Sequence, residues 1–98
     1  MAELLFHPDV SAEVKAAYDW YQQQAEGLGD DFVVELESVY QKVIDNPQRP
    51  KVFQKGFRRY SLFRFPFSVI YRESGDCIYV VAVMHKRRKP NYWLSRVG

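Results

Sequence analysis

The sequence predicts an α+β fold: an N-terminal strand, then a two-helix hairpin packed on one face of a twisted, mainly antiparallel sheet that a C-terminal three-strand meander completes. Three observations carry this. Apolar residues recur at spacings of three and four through 10–25 and again through 32–44, the period of helices with one buried stripe. Two β-branched and aromatic runs, Phe67 to Glu73 and Cys77 to His85, are separated by Ser74-Gly75-Asp76, the pattern of an antiparallel hairpin. At 98 residues the chain supports one core, so residues 1–98 are expected to form a single domain.

Taken in order, Ala2 to Phe6 is a short apolar run closed by His7-Pro8 and reads as the first strand. Pro8 suits a helix start, where its missing N–H costs nothing, and Asp9 complements the positive helix end. The first helix should run to about Glu26 with Val10, Val14, Ala17, Tyr21 and Ala25 along its stripe, and His7 is given no chemistry. Gly27-Leu28-Gly29 stops it, and Asp30-Asp31 offers a capping oxygen and negative charge to the next helix. Phe32, Leu36, Val39 and Val43 mark that helix, which Pro47 ends. Asn46 to Gly56 reads as a loop and Arg58 to Phe63 as a strand; Pro66 forces a turn or bulge, because proline cannot donate to a ladder. Strict alternation puts Cys77, Tyr79, Val81, Val83 and His85 on one face, and Ile78, Val80, Ala82 and Met84 on the other. The sheet face away from the helices is expected to stay open.

Composition narrows the class. With 47% hydrophobic and 16% aromatic residues the chain is no disordered segment, and it has apolar side chains enough to leave a partner surface. The single cysteine, Cys77, can form no internal disulfide, which fits a reducing compartment. The start MAELLFHPD lacks a basic region followed by an apolar one, and the longest apolar run, Cys77 to Met84, is far shorter than the ~20 residues a bilayer span needs. A soluble cytoplasmic protein with no membrane role is expected.

Net charge is +2, but the halves differ. Residues 1–50 hold three cations and ten anions, −7; residues 51–98 hold eleven cations and two anions, +9. The asymmetry suits a basic face for phosphates or an acidic protein, or else neutralisation of one half by the other within the fold.

Much chemistry is excluded. There is no spaced Cys/His cluster, no nucleophile elbow, no helical zinc motif and no glycine-rich phosphate loop, so neither metal nor cofactor is expected. What remains is basic and aromatic: His85, Lys86, Arg87, Arg88 and Lys89 leave the last strand, with Arg58, Arg59, Arg64, Tyr71 and Arg72 on neighbouring ones. Cleaving an RNA phosphodiester takes a base, an acid and cations for the growing charge. A histidine with arginines and a tyrosine can supply these.

These residues resemble a known family. Phe6-His7-Pro8, Tyr18-x-Trp20-Tyr21, Gly27-Leu28-Gly29-x-x-Phe32, Asn46-Pro47, Arg58-Arg59, Phe65-Pro66-Phe67-x-x-Ile70-Tyr71-Arg72 and His85-x-Arg87-Arg88-x-Pro90-x-Tyr92-Trp93 are similar to the RelE/ParE superfamily of toxins from bacterial type II toxin–antitoxin systems. The resemblance spans nearly the whole chain. It implies a toxin that arrests growth, either by ribosome-dependent mRNA cleavage or by inhibiting DNA gyrase, and that a cognate antitoxin neutralises in a hetero-oligomer. It implies catalytic roles for His85, Arg87 and Tyr92 in the nuclease case, with Arg58, Arg59, Arg64, Arg72, Lys86, Arg88 and Lys89 binding nucleic acid or antitoxin. Ser68 stands where RelE-like nucleases carry another arginine, and Phe65-Pro66-Phe67 with Pro90-x-Tyr92-Trp93 resemble the ParE-like side, whose members are not enzymes. The competing class is a non-toxic basic module or inactive remnant that only pairs with an acidic partner.

Overall fold

The computed structural model describes residues 3–97. Its elements are β1 (Glu3–Phe6), α1 (Asp9–Gln24), α2 (Leu28–Asp45), β2 (Val52–Gln54), β3 (Phe57–Ser61), β4 (Phe67–Ser74), β5 (Cys77–His85) and a short 3-10 helix (Tyr92–Arg96). The sheet runs in the order β1-β5-β4-β3-β2, with β1 parallel to β5 and the other pairs antiparallel. The α+β architecture expected from the sequence is present, with both helices against one face; Ala2, read as the start of the first strand, lies outside the described residues.

Between the helix hairpin and the sheet lies the larger core. Val10, Ala17, Phe32, Leu36, Val39 and Val43 pack on Phe67, Val69, Tyr71, Ile78, Val80 and Val83. Phe32 meets Phe65 and Phe67 edge to face at 5.3 and 5.0 Å, an aromatic geometry that adds to simple burial.

Four expectations are corrected. The stretch read as a loop contains β2, because Lys55 and Gly56 take φ of 49° and 82° and close a two-residue hairpin into β3. Both positions need a left-handed backbone, which glycine accepts and lysine rarely does, so Lys-Gly gives a weaker signal than Asn-Gly. Second, α2 begins at Leu28, after Gly27 at φ 83°, and Asp30 and Asp31 do not cap it with their side chains. Instead Gln22 of α1 reaches across: its Oε1 accepts the N–H groups of Gly29 at 2.7 Å and Asp30 at 3.3 Å, satisfying donors that a helix start leaves unpaired. Third, strict alternation fails in β5. Ile70 pairs with Ala82 and Tyr71 with Val80, so Val81 is an extra residue, a bulge. Val81 and Ala82 both face away from the helices, with Met84, while Ile78, Val80 and Val83 face them. Fourth, the second face is not open. The C-terminal segment folds over it, and Trp93, 1% exposed, packs with Phe57, Ile70, Val81, Ala82 and Met84.

The 46–51 connection is fastened from the sheet. Arg58 donates from Nη1 to the carbonyls of Gln48 at 3.2 Å and Pro50 at 2.5 Å, and the Tyr71 hydroxyl donates to Pro47 O at 2.9 Å. Burial pushes the Tyr71 phenol up to about 12, partly offset by the nearby Arg58 charge.

Gly29 sits where the start of α2 lies close against α1. A Cβ there would lie 2.6 Å from the Tyr18 carbonyl oxygen, a backbone atom that cannot swing aside. Gly29→Ala is therefore expected to destabilise the protein by about 2 kcal/mol, read from the urea midpoint. Folding favours the neutral Tyr71 phenol, so its contribution is complete below the unfolded pKa of 10.0 and is lost as pH rises through that value toward about 12. Spectrophotometric titration of the native protein should show late-ionising tyrosines, one fewer of them in Tyr71→Phe.

Candidate functional site

β1 is too short to pair with all of β5. Its last partner is Val80, whose carbonyl also accepts the His7 N–H at 2.9 Å. From Val81 onward that edge of β5 would be left with unpaired backbone groups, which are costly when buried. Side chains fill the gap. Glu13 of α1 accepts the Val83 N–H through Oε1 at 3.0 Å, and Arg96 donates from Nη1 to the Val81 carbonyl at 3.0 Å. The two then meet each other, with Arg96 Nη1 and Nη2 each 3.1 Å from a Glu13 oxygen, in a bidentate pair. Both side chains are about nine-tenths buried.

The Tyr92 hydroxyl also donates to Glu13 Oε2, and the Tyr92 ring lies under the guanidinium of Arg88 at 4.0 Å and near that of Arg96 at 5.1 Å. Burial raises the Tyr92 phenol, and the hydrogen bond and charge of Glu13 raise it further, while Arg96 and Arg88 partly oppose. Burial lowers the Arg96 guanidinium, but the hydrogen bond and charge of Glu13 outweigh this and leave it raised. Thus Tyr92 is a neutral hydrogen-bond donor and Arg96 a fixed cation.

His85 ends β5 on the helix side. Its Nδ1 accepts the Arg87 N–H at 3.0 Å, and its ring stands edge-on to Phe67 at 5.0 Å. Glu13, Ala17, Trp20, Tyr21, His85 and Arg88 line a half-open pocket of about 360 Å³ there. Its walls are largely apolar and aromatic, with one carboxylate, one imidazole and one guanidinium among them.

The other predicted cations are scattered. Arg58 is spent on the 46–51 connection. Arg64 lies 3.6 Å from Asp31 of α2. Arg88 is drawn to Glu13, 3.8 Å from Oε2. Arg59 and Arg72 lie on the face away from the helices, over the rings of Phe53 at 5.0 Å and Phe57 at 4.9 Å. Lys86 joins that face, lining a shallow pocket of about 300 Å³ with Arg59, Ser61, Ser68 and Met84. Buried Ser68 shares a 3.0 Å hydroxyl contact with Ser61. Arg87 and Lys89 are exposed, and among the described residues no carboxylate pairs with them, nor with Arg59, Arg72 or Lys86.

The structure therefore brings His85, Arg88 and Tyr92 near one carboxylate on one side, and Arg59 and Lys86 together on the other, with Arg72 on that same face but toward the opposite end of β4. The sequence reading missed Glu13. It falls at the 10, 13, 14, 17 spacing of the buried stripe of α1, and a carboxylate on an apolar stripe is the signal that marks it. Arg96, at the far end of the chain, had no local pattern to reveal its partner.

The family model described as "ParE toxin of type II toxin-antitoxin system, parDE" matches residues 4–90. A solved structure, "Chromosomal ParDE TA system from P. aeruginosa", is similar in fold, with a TM-score of 0.65 at 21% identity over 87% of this chain and 96% of that one. No curated protein matches the sequence. Among the described residues no helix is long and apolar enough to cross a membrane.

Removing Glu13 would leave the buried Arg96 charge with only the exposed Asp9 carboxylate, 3.6 Å from its Nε, and the Val83 N–H without an acceptor. Glu13→Ala is expected to cost about 3 kcal/mol or more, whereas Tyr92→Phe, which removes one donor only, should cost about 1–2 kcal/mol. Urea unfolding of the two variants beside the exposed control Arg87→Ala, expected to shift stability by less than about 0.5 kcal/mol, checks the ranking.

Proposed function

The chain belongs to the ParE toxin family of type II toxin–antitoxin systems, and we propose that it arrests growth by binding its target, DNA gyrase, without cutting RNA, and that a cognate antitoxin keeps it silent. One observation carries the choice of mechanism. The Tyr92 hydroxyl, the late aromatic that a nuclease would use, is held by Glu13, and its phenol is shifted upward by burial. General acid–base catalysis works best with groups that titrate near the working pH, so a tyrosine fixed in this way is a poor proton carrier. The cations spread over two faces add to this. His85 faces α1 while Arg59 and Arg72 lie on the opposite side of the sheet, so they cannot stabilise charge at a phosphate that His85 touches. Ser68, where RelE-like nucleases resemble one another in carrying arginine, is buried and bonded to Ser61.

The same arrangement suits a binding protein. Arg59 and Lys86 beside one shallow pocket, with Arg72 farther along the same face, give cations complementary to an acidic antitoxin segment, which electrostatic attraction would steer and orient.

A ribosome-dependent nuclease is the second reading, favoured by the pocket in which His85 and Arg88 stand together. One experiment separates the two. The protein is induced without antitoxin, cellular mRNA is mapped by primer extension, and the purified protein is added to a gyrase supercoiling assay. Expected are growth arrest that persists in His85→Ala, Arg87→Ala, inhibited supercoiling, and no new mRNA ends. Codon-phased cuts that vanish in the double variant would establish the nuclease instead. Normal growth with soluble expression would make the chain a non-toxic binding module.

A further inference from the structure

Phe63 is 96% exposed, the most exposed of the large hydrophobic residues described, yet the loop that carries it is fixed on all sides. Its chain neighbours Leu62 and Phe65 are buried at 4% and 5%. Glu35 of α2 accepts the N–H of Phe63 at 2.6 Å and that of Arg64 at 3.0 Å. Leu62 N–H donates to Phe67 O at 2.9 Å, Phe67 N–H to Phe65 O at 2.8 Å, and the Arg64 guanidinium lies over the Phe65 ring at 5.4 Å while pairing with Asp31. The N–H groups of Leu62, Phe63, Arg64 and Phe67 are thus bonded within the protein, whereas the Phe63 ring is left to solvent.

An aromatic side chain presented from a pre-ordered backbone has already met most of the entropy cost of binding, and rigid aromatic anchors carry a disproportionate share of interface energy. We propose that Phe63 is the anchor by which this toxin seats in an apolar pocket of the protein it inhibits, an inference that rests on the binding-toxin reading above. The charges around the ring select a protein over nucleic acid. Carboxylates of Asp31 and Glu35 flank the loop, and its one cation, Arg64, is paired. An apolar wedge driven between bases needs unpaired cations beside it to meet the phosphates. They also select the target over the antitoxin. An acidic antitoxin segment is drawn to Arg59, Arg72 and Lys86 on the far face, whereas the Phe63 loop, with two carboxylates against one cation, offers it no free positive charge.

The test compares the full chain with Phe63→Ala and the conservative Phe63→Leu. Because the ring touches little of its own fold, all three should share one urea midpoint. Phe63→Ala is expected to need at least about tenfold more protein for half-inhibition of purified gyrase and to lose growth arrest on induction, with Phe63→Leu in between. Affinity for its cognate antitoxin should stay within about twofold, as should affinity for a short DNA duplex. Unchanged potency would overturn the proposal. So would a fall in antitoxin affinity, a fall in duplex affinity, or a concentration-dependent self-association of the wild type that Phe63→Ala abolishes. If the wild type arrests growth but leaves gyrase untouched, the gyrase reading fails, and the growth comparison alone judges Phe63.

Discussion

Much of this structure depends on how the exposed half of β5 is closed. β1 ends at Phe6, so the Val81 carbonyl and the Val83 N–H have no strand beside them. Unpaired strand edges invite both water and other strands, and proteins cover them by several devices. Here the device is one ion pair, Glu13 with Arg96, each partner also bonding one of the backbone groups. Because Arg96 lies near the chain end, closing the edge requires the C-terminal segment to come back over the sheet. That brings Trp93 onto Phe57, Ile70 and Met84 and completes the second core.

A buried ion pair is seldom a net gain over apolar packing, because two charges must first be desolvated. Its worth at this position is specificity. Leucine and methionine in place of Glu13 and Arg96 would fill the volume but leave two backbone groups orphaned, and would not fix where the C-terminal helix lies. The pair also determines which cations remain for partners. Arg88 is drawn toward Glu13, Arg58 and Arg64 serve other anchors, and Arg59, Lys86, Arg87 and Lys89 are among the cations left exposed, with Arg72 half-buried over Phe57. The charge of +9 counted over residues 51–98 is thus reduced by ties to the acidic half before any partner arrives.

The helix hairpin, the β4–β5 hairpin and the layer order were legible because each has a local cause: a stripe, a turn triplet, a proline. The register of β5 was not. Every residue from Cys77 to Met84 is apolar apart from the tyrosine hydroxyl, since that strand is covered on both faces, so alternation holds no information and the Val81 bulge leaves no trace in the pattern. The covered second face was hidden for a related reason. Tyr92 and Trp93 follow a basic stretch and Pro90, and nothing within a few residues says that they return to the sheet. Basic residues were read as one cluster because they are close in sequence; the strand pleat sends His85 and Lys86 to opposite faces.

The acidic helices explain what that segregation of charge is for. Two carboxylates, Glu13 and Glu35, reach from α1 and α2 to accept backbone N–H groups of the basic half, one at the edge of β5 and one in the loop before β4. A charged acceptor makes a stronger hydrogen bond than a neutral one, and each of these replaces a strand or turn partner that the chain does not supply. The helices therefore act as a frame that holds a loop and an edge still. Rigidity of that kind does little for a chemical step that needs a mobile proton donor. It favours association, because surfaces that are ordered before the encounter lose less entropy when they bind. A fold that fixes an exposed phenylalanine on one loop and sets Arg59 and Lys86 on the far face of the sheet has two surfaces that can be engaged independently.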